Sequence, residues 1–190
     1  MKIRASAPGK MVLLGEYAVL EGAPALVMAV NRRAVAEVST DVVRSTIDAP
    51  DVWPQTVAFD LDPGGVPVWN HPSSGAPAAL SLVDHVLRGL AERSLLPKAP
   101  FSVRLDSAAF FQGRGVGRSK LGLGSSAAVT VALASALAGA AGHAELTGDR
   151  ARWLRELLSI HQRFQGGRGS GVDLAAAIHG GVIGYRLRAE

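Results

Sequence analysis

The chain has 190 residues, of which 48% are apolar and 19% charged, and it contains no cysteine. This balance predicts a globular domain with its own core, and the lack of cysteine excludes disulfides and thiolate metal sites. The net charge is only +4, aromatic residues are few and there is no run of basic residues, so we expect no nucleic-acid partner.

The first third of the chain is predicted to be mostly β-strand. Alternating or continuous apolar residues indicate extended segments over residues 2–7, 10–14, 24–30 and 32–40. Pro8 and Gly9 predict a turn between the first two. Residues 41–70 contain short β-prone pieces among proline, glycine and aspartate, which predicts a peripheral sheet or meander.

Helices alternate with loops in the remainder. Helical spacing of apolar residues predicts a helix over 78–90, and a strand follows over 101–106. Residues 121–144 carry no formal charge, but their many small residues favour a closely packed helix over a membrane span, so we expect no membrane partner and a cytoplasmic location. Asp149 is predicted to cap a helix with one apolar face, formed by Trp153, Leu154, Leu157, Leu158 and Ile160 or His161. A glycine-rich turn then opens a helix over 172–178, and residues 180–185 are predicted as a strand.

The glycine loop before the uncharged helix is the clearest candidate for a binding site. Its glycines allow the backbone to approach a ligand closely, and we expect Ser125 to be the N-cap of the helix. The start of a helix offers unpaired amides and a partial positive charge, which suits a phosphate. Ser126 offers a hydroxyl to a phosphate-bound Mg²⁺. The predicted nucleotide-phosphate site comprises Lys120, Gly122, Leu123, Gly124, Ser125, Ser126 and Ala127, with Arg114 and Arg118 flanking it.

Two other motifs fit the same residues. Gly122, Gly124 and Ala127 match the spacing of a dinucleotide-binding fingerprint, and residues 124–128 loosely resemble a hydrolase nucleophile elbow. Both motifs need a strand directly before the glycines, whereas the nearest predicted strand ends at Asp106. An acyl hydrolase that uses Ser126, Asp173 and His179 therefore remains a distant alternative.

Three stretches together resemble the GHMP small-molecule kinases. Residues 7–22 (APGKMVLLGEYAVLEG) resemble the first motif of that family, and residues 122–128 (GLGSSAA) its nucleotide loop. Residues 169–175 (GSGVDLA) are similar to the segment that carries its catalytic aspartate. The three occur in the order found in the family, and the resemblance covers nearly the whole chain.

The resemblance implies ATP and Mg²⁺ as cofactors and assigns roles to individual residues. Asp173 would accept or orient the proton of the substrate, and Lys10 would hold Asp173 ionised. Glu16 would help to orient Ser126 or the ligands around the metal ion. Tyr17, Arg168 and Ser170 would bind substrate, and Arg168 suits an acceptor that already carries a phosphate. Without the resemblance, Asp173 would be interpreted as a helix cap and Lys10 as a solvated lysine.

The implied fold is α+β, that of the ribosomal protein S5 domain 2-like N-terminal domain of the family. We treat residues 1–190 as this one nucleotide-binding and catalytic domain, expected to be incomplete because the family's C-terminal ferredoxin-like domain is missing. A separate C-terminal half or a homodimer is therefore an expected partner.

Within the family, Tyr17 and the stretch 166–173 resemble bacterial phosphomevalonate kinases most, which implies phosphomevalonate as the small phosphorylated substrate. Gln162 stands where mevalonate kinases carry a metal-binding Glu, which leaves Ser126 as the main protein contact of the metal. Mevalonate kinase, another family member and a non-catalytic nucleotide-binding subunit remain the alternatives.

Overall fold

The computed structural model describes residues 1–71, 75–113, 118–167 and 169–187. The strands in these parts of the chain are β1 (Lys2–Leu14), β2 (Ala25–Ser39), β3 (Ser45–Ala49), β4 (Trp53–Leu61), β5 (Pro67–Trp69), β6 (Ser102–Asp106), β7 (Phe111–Gln112), β8 (Ser119–Lys120) and β9 (Val182–Tyr185). The α-helices are α1 (Ser81–Ala91), α2 (Ser125–Ala140), α3 (Ala144–Gly148), α4 (Arg150–Phe164) and α5 (Val172–His179). Short 3₁₀ turns cover Ala18–Glu21, Ala78–Leu80 and Ala108–Phe110.

One mixed sheet organises the described residues. Its strand order is β1-β2-β6-β3-β4-β5, and β9 pairs with the other end of the long β2. Strands β3 and β6 are parallel, and the remaining pairs are antiparallel. The meander predicted within residues 41–70 is confirmed, because β3, β4 and β5 are consecutive antiparallel neighbours that end at the edge strand β5. Strand β3 joins this meander to β6, and Ile47 is buried beside Val103.

The β1–β2 hairpin is longer than predicted. The expected turn at Pro8 and Gly9 is wrong, because β1 stays paired with β2 on both sides of these residues, with a bulge between them. Gly9 is buried there, and a Cβ on it would lie 2.5 Å from the carbonyl oxygen of Leu123. This glycine therefore permits the close approach of another loop and does not reverse the chain.

The helices form the second layer. α2 and α5 pack against β1 and β2, and α1 and α4 pack on α2. α2 is buried almost all round, as its uncharged sequence predicts, and among the described residues no helix combines the length and apolar character that crossing a membrane requires. Asp149 caps α4 as predicted, accepting a hydrogen bond from the Arg152 amide at 3.0 Å. The predicted apolar face of α4 is buried at Trp153, Leu157, Ile160 and His161.

Candidate active site

The glycine loop, residues 121–124, leads directly into α2. We predicted Ser125 as the N-cap, but the structure places Gly124 there and makes Ser125 the first helical residue. Gly124 has a left-handed backbone with φ of +69°, which glycine adopts without strain. A Cβ at this position would lie 2.9 Å from Cγ of Lys10. The helix therefore begins one residue earlier than predicted, where only a glycine leaves room for Lys10.

The start of α2 offers free amides to a ligand. Its first helical bond runs from the Ala128 amide to the Gly124 carbonyl at 3.2 Å. The amides of Ser125, Ser126 and Ala127 come before that bond and point out of the helix end, where the helix dipole is positive. Lys120, in the adjoining strand β8, lines the same pocket as Ser125 and Ser126. This end of the helix has the charge and the donors that an anion needs.

Lys10 and Asp173 meet beside this loop. Nζ of Lys10 lies 3.0 Å from Oδ1 of Asp173, and the Lys10 side chain is only 12% exposed. The Lys10 amide also donates to the carbonyl of Leu123 at 2.9 Å. A Cβ on Gly124 would lie 3.6 Å from Oδ2 of Asp173. Three stretches that are distant in sequence are thus in contact at one place.

The bulge in the hairpin determines where Lys10 points. Before the bulge, the odd-numbered residues Ile3, Ala5 and Ala7 face the core under the helices. After the bulge, Lys10 lines the cleft and Val12 packs against the cluster under α5. Successive residues of a strand alternate between faces, so a regular strand would direct Met11 inward and Lys10 outward. The bulge reverses this alternation and brings the ammonium group to Asp173.

The segment before Asp173 is held by its own contacts. Gly171 is the N-cap of α5, with φ of +77°, and a Cβ on it would lie 2.5 Å from Cδ1 of Leu158. The hydroxyl of Tyr185 donates to the carbonyl of Ser170. The Ser170 side chain is buried and accepts from the amide of Val172 at 3.3 Å. Asp173 therefore sits in the first turn of a helix whose start is fixed.

Two neighbouring cavities flank these groups. A cleft of about 230 Å³ is lined by Lys10, Glu16, Tyr17, His161, Ser170 and Asp173. A pocket of about 330 Å³ adjoins the start of α2, and its lining includes the polar residues Lys120, Ser125 and Ser126 and the apolar residues Leu82, Phe111 and Phe164. Tyr17 lies at the rim of the cleft, 81% exposed. Arg168, the other predicted contact of the substrate, lies outside the described residues.

His161 connects the two cavities, and the sequence did not identify it as functional. It is buried on α4, with Nε2 3.4 Å from Oγ of Ser126, and it lines the cleft that contains Asp173. Burial lowers the pKa of His161, while the nearby negative charge of Asp173 acts in the opposite direction. The only signal in the sequence was a polar residue on an otherwise apolar helix face.

The predicted metal ligands, Glu16 and Ser126, line two different cavities. Glu16 is exposed and lines the cleft with Asp173, whereas Ser126 lines the neighbouring pocket. The amide of Gln162 donates to the carbonyl of Gly169 at 3.2 Å and so supports the loop before α5. Within the described ranges, no group of three or more His, Asp or Glu residues is arranged to hold a metal ion.

The arginines that flank the glycine loop do not add to the anion site in the described residues. Arg118 is held by Asp51, with Nη2 2.8 Å from Oδ1, and its guanidinium lies 4.0 Å above the centre of the Phe111 ring. Arg114 lies outside the described residues. Lys120 therefore remains the predicted basic contact.

The chain is similar to known kinases over almost all its length. It is 36% identical over 196 residues to a phosphomevalonate kinase of Streptomyces sp. (strain CL190), covering 95% of this chain and 48% of that protein. It is 32% identical to a mevalonate kinase of Aeropyrum pernix, covering 96% of this chain and 50% of that one. The chain thus spans about half the length of the relatives that it matches.

Solved structures support the same relationship. The structure of Streptococcus pneumoniae phosphomevalonate kinase in complex with phosphomevalonate and AMPPNP is 26% identical, with a TM-score of 0.67 over 93% of this chain and 47% of that one. Residues 81–181 match the family profile described as the GHMP kinases N terminal domain. The predicted α+β fold is that of this domain, and the chain belongs to the GHMP kinase family.

Proposed function

We propose that residues 1–190 form the nucleotide-binding and catalytic domain of an ATP-dependent kinase that phosphorylates phosphomevalonate to diphosphomevalonate. The observation that carries the proposal is the 3.0 Å pair of Lys10 and Asp173, held against the glycine loop at the start of α2. Phosphoryl transfer depends chiefly on positioning and on neutralising charge. This arrangement offers a carboxylate, an ammonium group and a set of free amides around one cleft.

The triphosphate would lie across the start of α2. The amides of Ser125, Ser126 and Ala127 would donate to phosphate oxygens, and Lys120 would add a full positive charge. The apolar wall of the 330 Å³ pocket, which includes Phe111 and Phe164, would accept the nucleoside. This placement directs the terminal phosphate toward the neighbouring cleft that contains Asp173.

In the transfer step, an acceptor oxygen of the substrate forms a bond to the γ-phosphorus, and the bond from that phosphorus to the bridging oxygen of ADP breaks. Any proton on the acceptor oxygen passes to Asp173. The Lys10 ammonium group, 3.0 Å from Asp173, offers a positive charge to the transferred phosphoryl group. Because Lys10 is nearly buried, its attraction is screened less than that of an exposed lysine.

Mg²⁺ would be held largely by the nucleotide. The Ser126 hydroxyl, an oxygen donor at the start of α2, suits a hard cation that keeps several waters and binds through substrate phosphates. Bound there, the ion would neutralise charge on the phosphates. The 3.4 Å separation between His161 Nε2 and Ser126 Oγ fits a role for the buried imidazole in orienting the serine hydroxyl.

Two observations favour phosphomevalonate over mevalonate as the proposed acceptor. The phosphomevalonate kinase of Streptomyces sp. is a somewhat nearer relative, at 36% identity, than the mevalonate kinase of Aeropyrum pernix, at 32%. Tyr17 lies at the rim of the cleft. By the family resemblance, mevalonate kinases have a histidine at this position. Mevalonate is the alternative acceptor. A cytoplasmic location stays a prediction.

The test is a turnover assay with a panel of acceptors. Phosphomevalonate, mevalonate, homoserine and galactose are each incubated with Mg-ATP, and ADP formation is measured. Two proteins are compared: the 190-residue chain, and a fusion of this chain to the half of the Streptomyces sp. phosphomevalonate kinase that it does not match. We expect turnover of the fusion to be highest with phosphomevalonate. Higher turnover with mevalonate would reassign the substrate.

A second candidate function is a nucleotide-binding module without activity of its own, which is favoured by the chain's span of about half its relatives. Titration calorimetry with Mg-ATP separates the possibilities. Binding by the chain together with turnover only in the fusion assigns the chain as a catalytic domain that depends on a second one. Binding without turnover in either protein would assign it as the module.

A further inference from the structure

One ion pair joins three separate segments of the chain beside the pocket at the start of α2. Asp51 lies in the turn between β3 and β4. Nη2 of Arg118 lies 2.8 Å from its Oδ1, and the amide of Ser107 donates to its Oδ2 at 2.8 Å. Nη1 of Arg118 also donates to the Asp51 carbonyl at 2.9 Å. The turn after β3, the residue after β6 and the residue before β8 are therefore held together by one carboxylate and one guanidinium.

Each contact of this pair leads to a residue that lines the pocket. Val52 follows Asp51 directly, Ser107 is itself part of the lining, and so is Phe111. The guanidinium carbon of Arg118 lies 4.0 Å from the centre of the Phe111 ring. A cation over an aromatic face at this distance is attracted to the ring. We call Val52, Ser107 and Phe111 the tethered residues.

The pair is partly buried and its geometry is specific. The side chain of Asp51 is only 14% exposed and that of Arg118 30%. Both carboxylate oxygens of Asp51 accept hydrogen bonds, and two nitrogens of the guanidinium donate to the same residue. A planar guanidinium fixes such a fork in a way that a lysine does not reproduce. These contacts account for the conformation of Arg118 without any bound anion.

A second pair between the same parts of the sheet provides a comparison. Arg104 of β6 pairs with Asp48 of β3, but the Arg104 side chain is 65% exposed. The described lining of the pocket includes neither residue. Exposed ion pairs of this kind contribute little to stability. The pair of Asp51 and Arg118 differs in its burial and in its contacts with the tethered residues.

We propose that Arg118 and Asp51 are positioning residues for the nucleoside, because they hold the tethered residues where a base packs against Phe111. The inference rests on the proposed function, in which the triphosphate lies at the start of α2. Ser125, in the first turn of α2, lines the same pocket as the tethered residues. Removal of either charge leaves the other partly buried without its partner and frees the tethered residues to move. The affinity for the nucleoside should therefore fall while the affinity for the phosphates is retained.

The experiment separates the nucleoside from the phosphates. Titration calorimetry of the 190-residue chain measures its affinity for Mg-ATP and for Mg-tripolyphosphate, which has three phosphates and no nucleoside. Arg118→Met removes the guanidinium and keeps an apolar side chain, whereas Asp51→Ala removes the carboxylate and keeps Arg118. Arg104→Met and Asp48→Ala are the matched controls. Circular dichroism and urea unfolding verify that each variant is folded, and Arg118→Lys, which keeps the charge without the planar fork, replaces a variant that is not.

We expect the unaltered chain to bind Mg-ATP more tightly than Mg-tripolyphosphate. Arg118→Met and Asp51→Ala should each weaken Mg-ATP binding by about five- to tenfold and change Mg-tripolyphosphate binding by less than about twofold. The two controls should leave both affinities unchanged.

Three results would overturn the inference. An equal loss of both affinities in Arg118→Met would mean that Arg118 binds phosphate. Unchanged Mg-ATP affinity in the folded variants would mean that the pair does not position the nucleoside. In either case the unaltered chain still binds Mg-ATP, and the proposed function stands. Failure of the unaltered chain to bind Mg-ATP would instead refute the nucleotide site of the proposed function, and this inference with it.

Discussion

The two halves of the β1–β2 hairpin belong to the same pair of strands but differ in what their side chains do. In the first half, before the bulge at Pro8 and Gly9, the inner face packs under α2 and the outer face is charged. In the second half, the inner face directs Lys10 to Asp173 and the outer face exposes Met11. The first half has the pattern of a strand that stabilises the domain. The second half gives up that pattern where Lys10 enters the cleft, which is expected of a strand that serves a site.

The largest effect on turnover is expected when the carboxylate of the Lys10–Asp173 ion pair is removed. Asp173→Ala should lower turnover of the fusion roughly 10²–10⁴-fold, the usual contribution of a positioned general base. Mg-ATP affinity should persist, because the amides of α2 are unchanged. The matched control is Asp149→Ala, which removes another carboxylate from a helix start. It should cost about 1 kcal/mol of unfolding free energy and leave turnover intact. Near-full turnover of Asp173→Ala would remove that residue from the mechanism.

A comparison of alanine variants at Gly122 and Gly124 distinguishes the cost of backbone strain from the cost of a clash with Lys10. Gly122→Ala and Gly124→Ala both place a side chain at positive φ, which costs about 1–2 kcal/mol. Only at Gly124 would the new Cβ meet Lys10, at 2.9 Å, whereas nothing lies within 4 Å of a Cβ on Gly122. We expect Gly124→Ala to lose more stability in urea unfolding and to weaken Mg-ATP binding further. Equal losses in the two variants would mean that the loop does not depend on its contact with Lys10.

The smallest effect is expected in the first half, at Glu37. The pKa of Glu37 is held below its ordinary value near 4.5, first by a hydrogen bond from Lys2 and further by the charges of Lys2, Arg4 and Arg104. A carboxylate with a lowered pKa in the folded state stabilises the fold fully above the unfolded-state pKa and loses that contribution as pH falls through the folded-state value.

The comparison with Glu37→Gln measures this contribution. Above pH about 4.5 the wild-type chain should be slightly more stable than the variant, and the difference should vanish at lower pH, as followed by thermal unfolding. Salt should shrink the difference, because these charges are exposed. A difference that persists at low pH would indicate that Glu37 acts through packing.

Local patterns predicted much of the fold. Helical spacing and capping placed α1 and α4, and the glycine-rich turns before α2 and α5 predicted where those helices begin to within one residue. Proline followed by glycine ordinarily signals a turn, but here the contact between Gly9 and Leu123 decides the conformation. That contact joins residues more than a hundred positions apart, so no local pattern could show it.

The site was predictable only as far as its motifs extend. Ser126 was predicted from the glycine loop itself, whereas Lys10 and Asp173 came from the resemblance to the family. Their roles remain proposals that the geometry supports. His161 was missed because its proximity to Ser126 and Asp173 depends on how α4 packs. The contact of Arg118 with Asp51 was missed for a similar reason, since it joins residues 67 positions apart.

Nucleotide phosphates are expected to bind at the start of α2, beside Lys10. Amide chemical shifts of the 190-residue chain, followed while Mg-ATP is added, test this most directly. We predict that the largest shifts fall on the amides of residues 122–127, with smaller ones at Lys10 and Asp173 and none at Arg4, Glu37 and Arg104. Saturating Mg-ATP that leaves the amides of 122–127 unmoved, or that shifts those of Arg4, Glu37 and Arg104 instead, would contradict this placement.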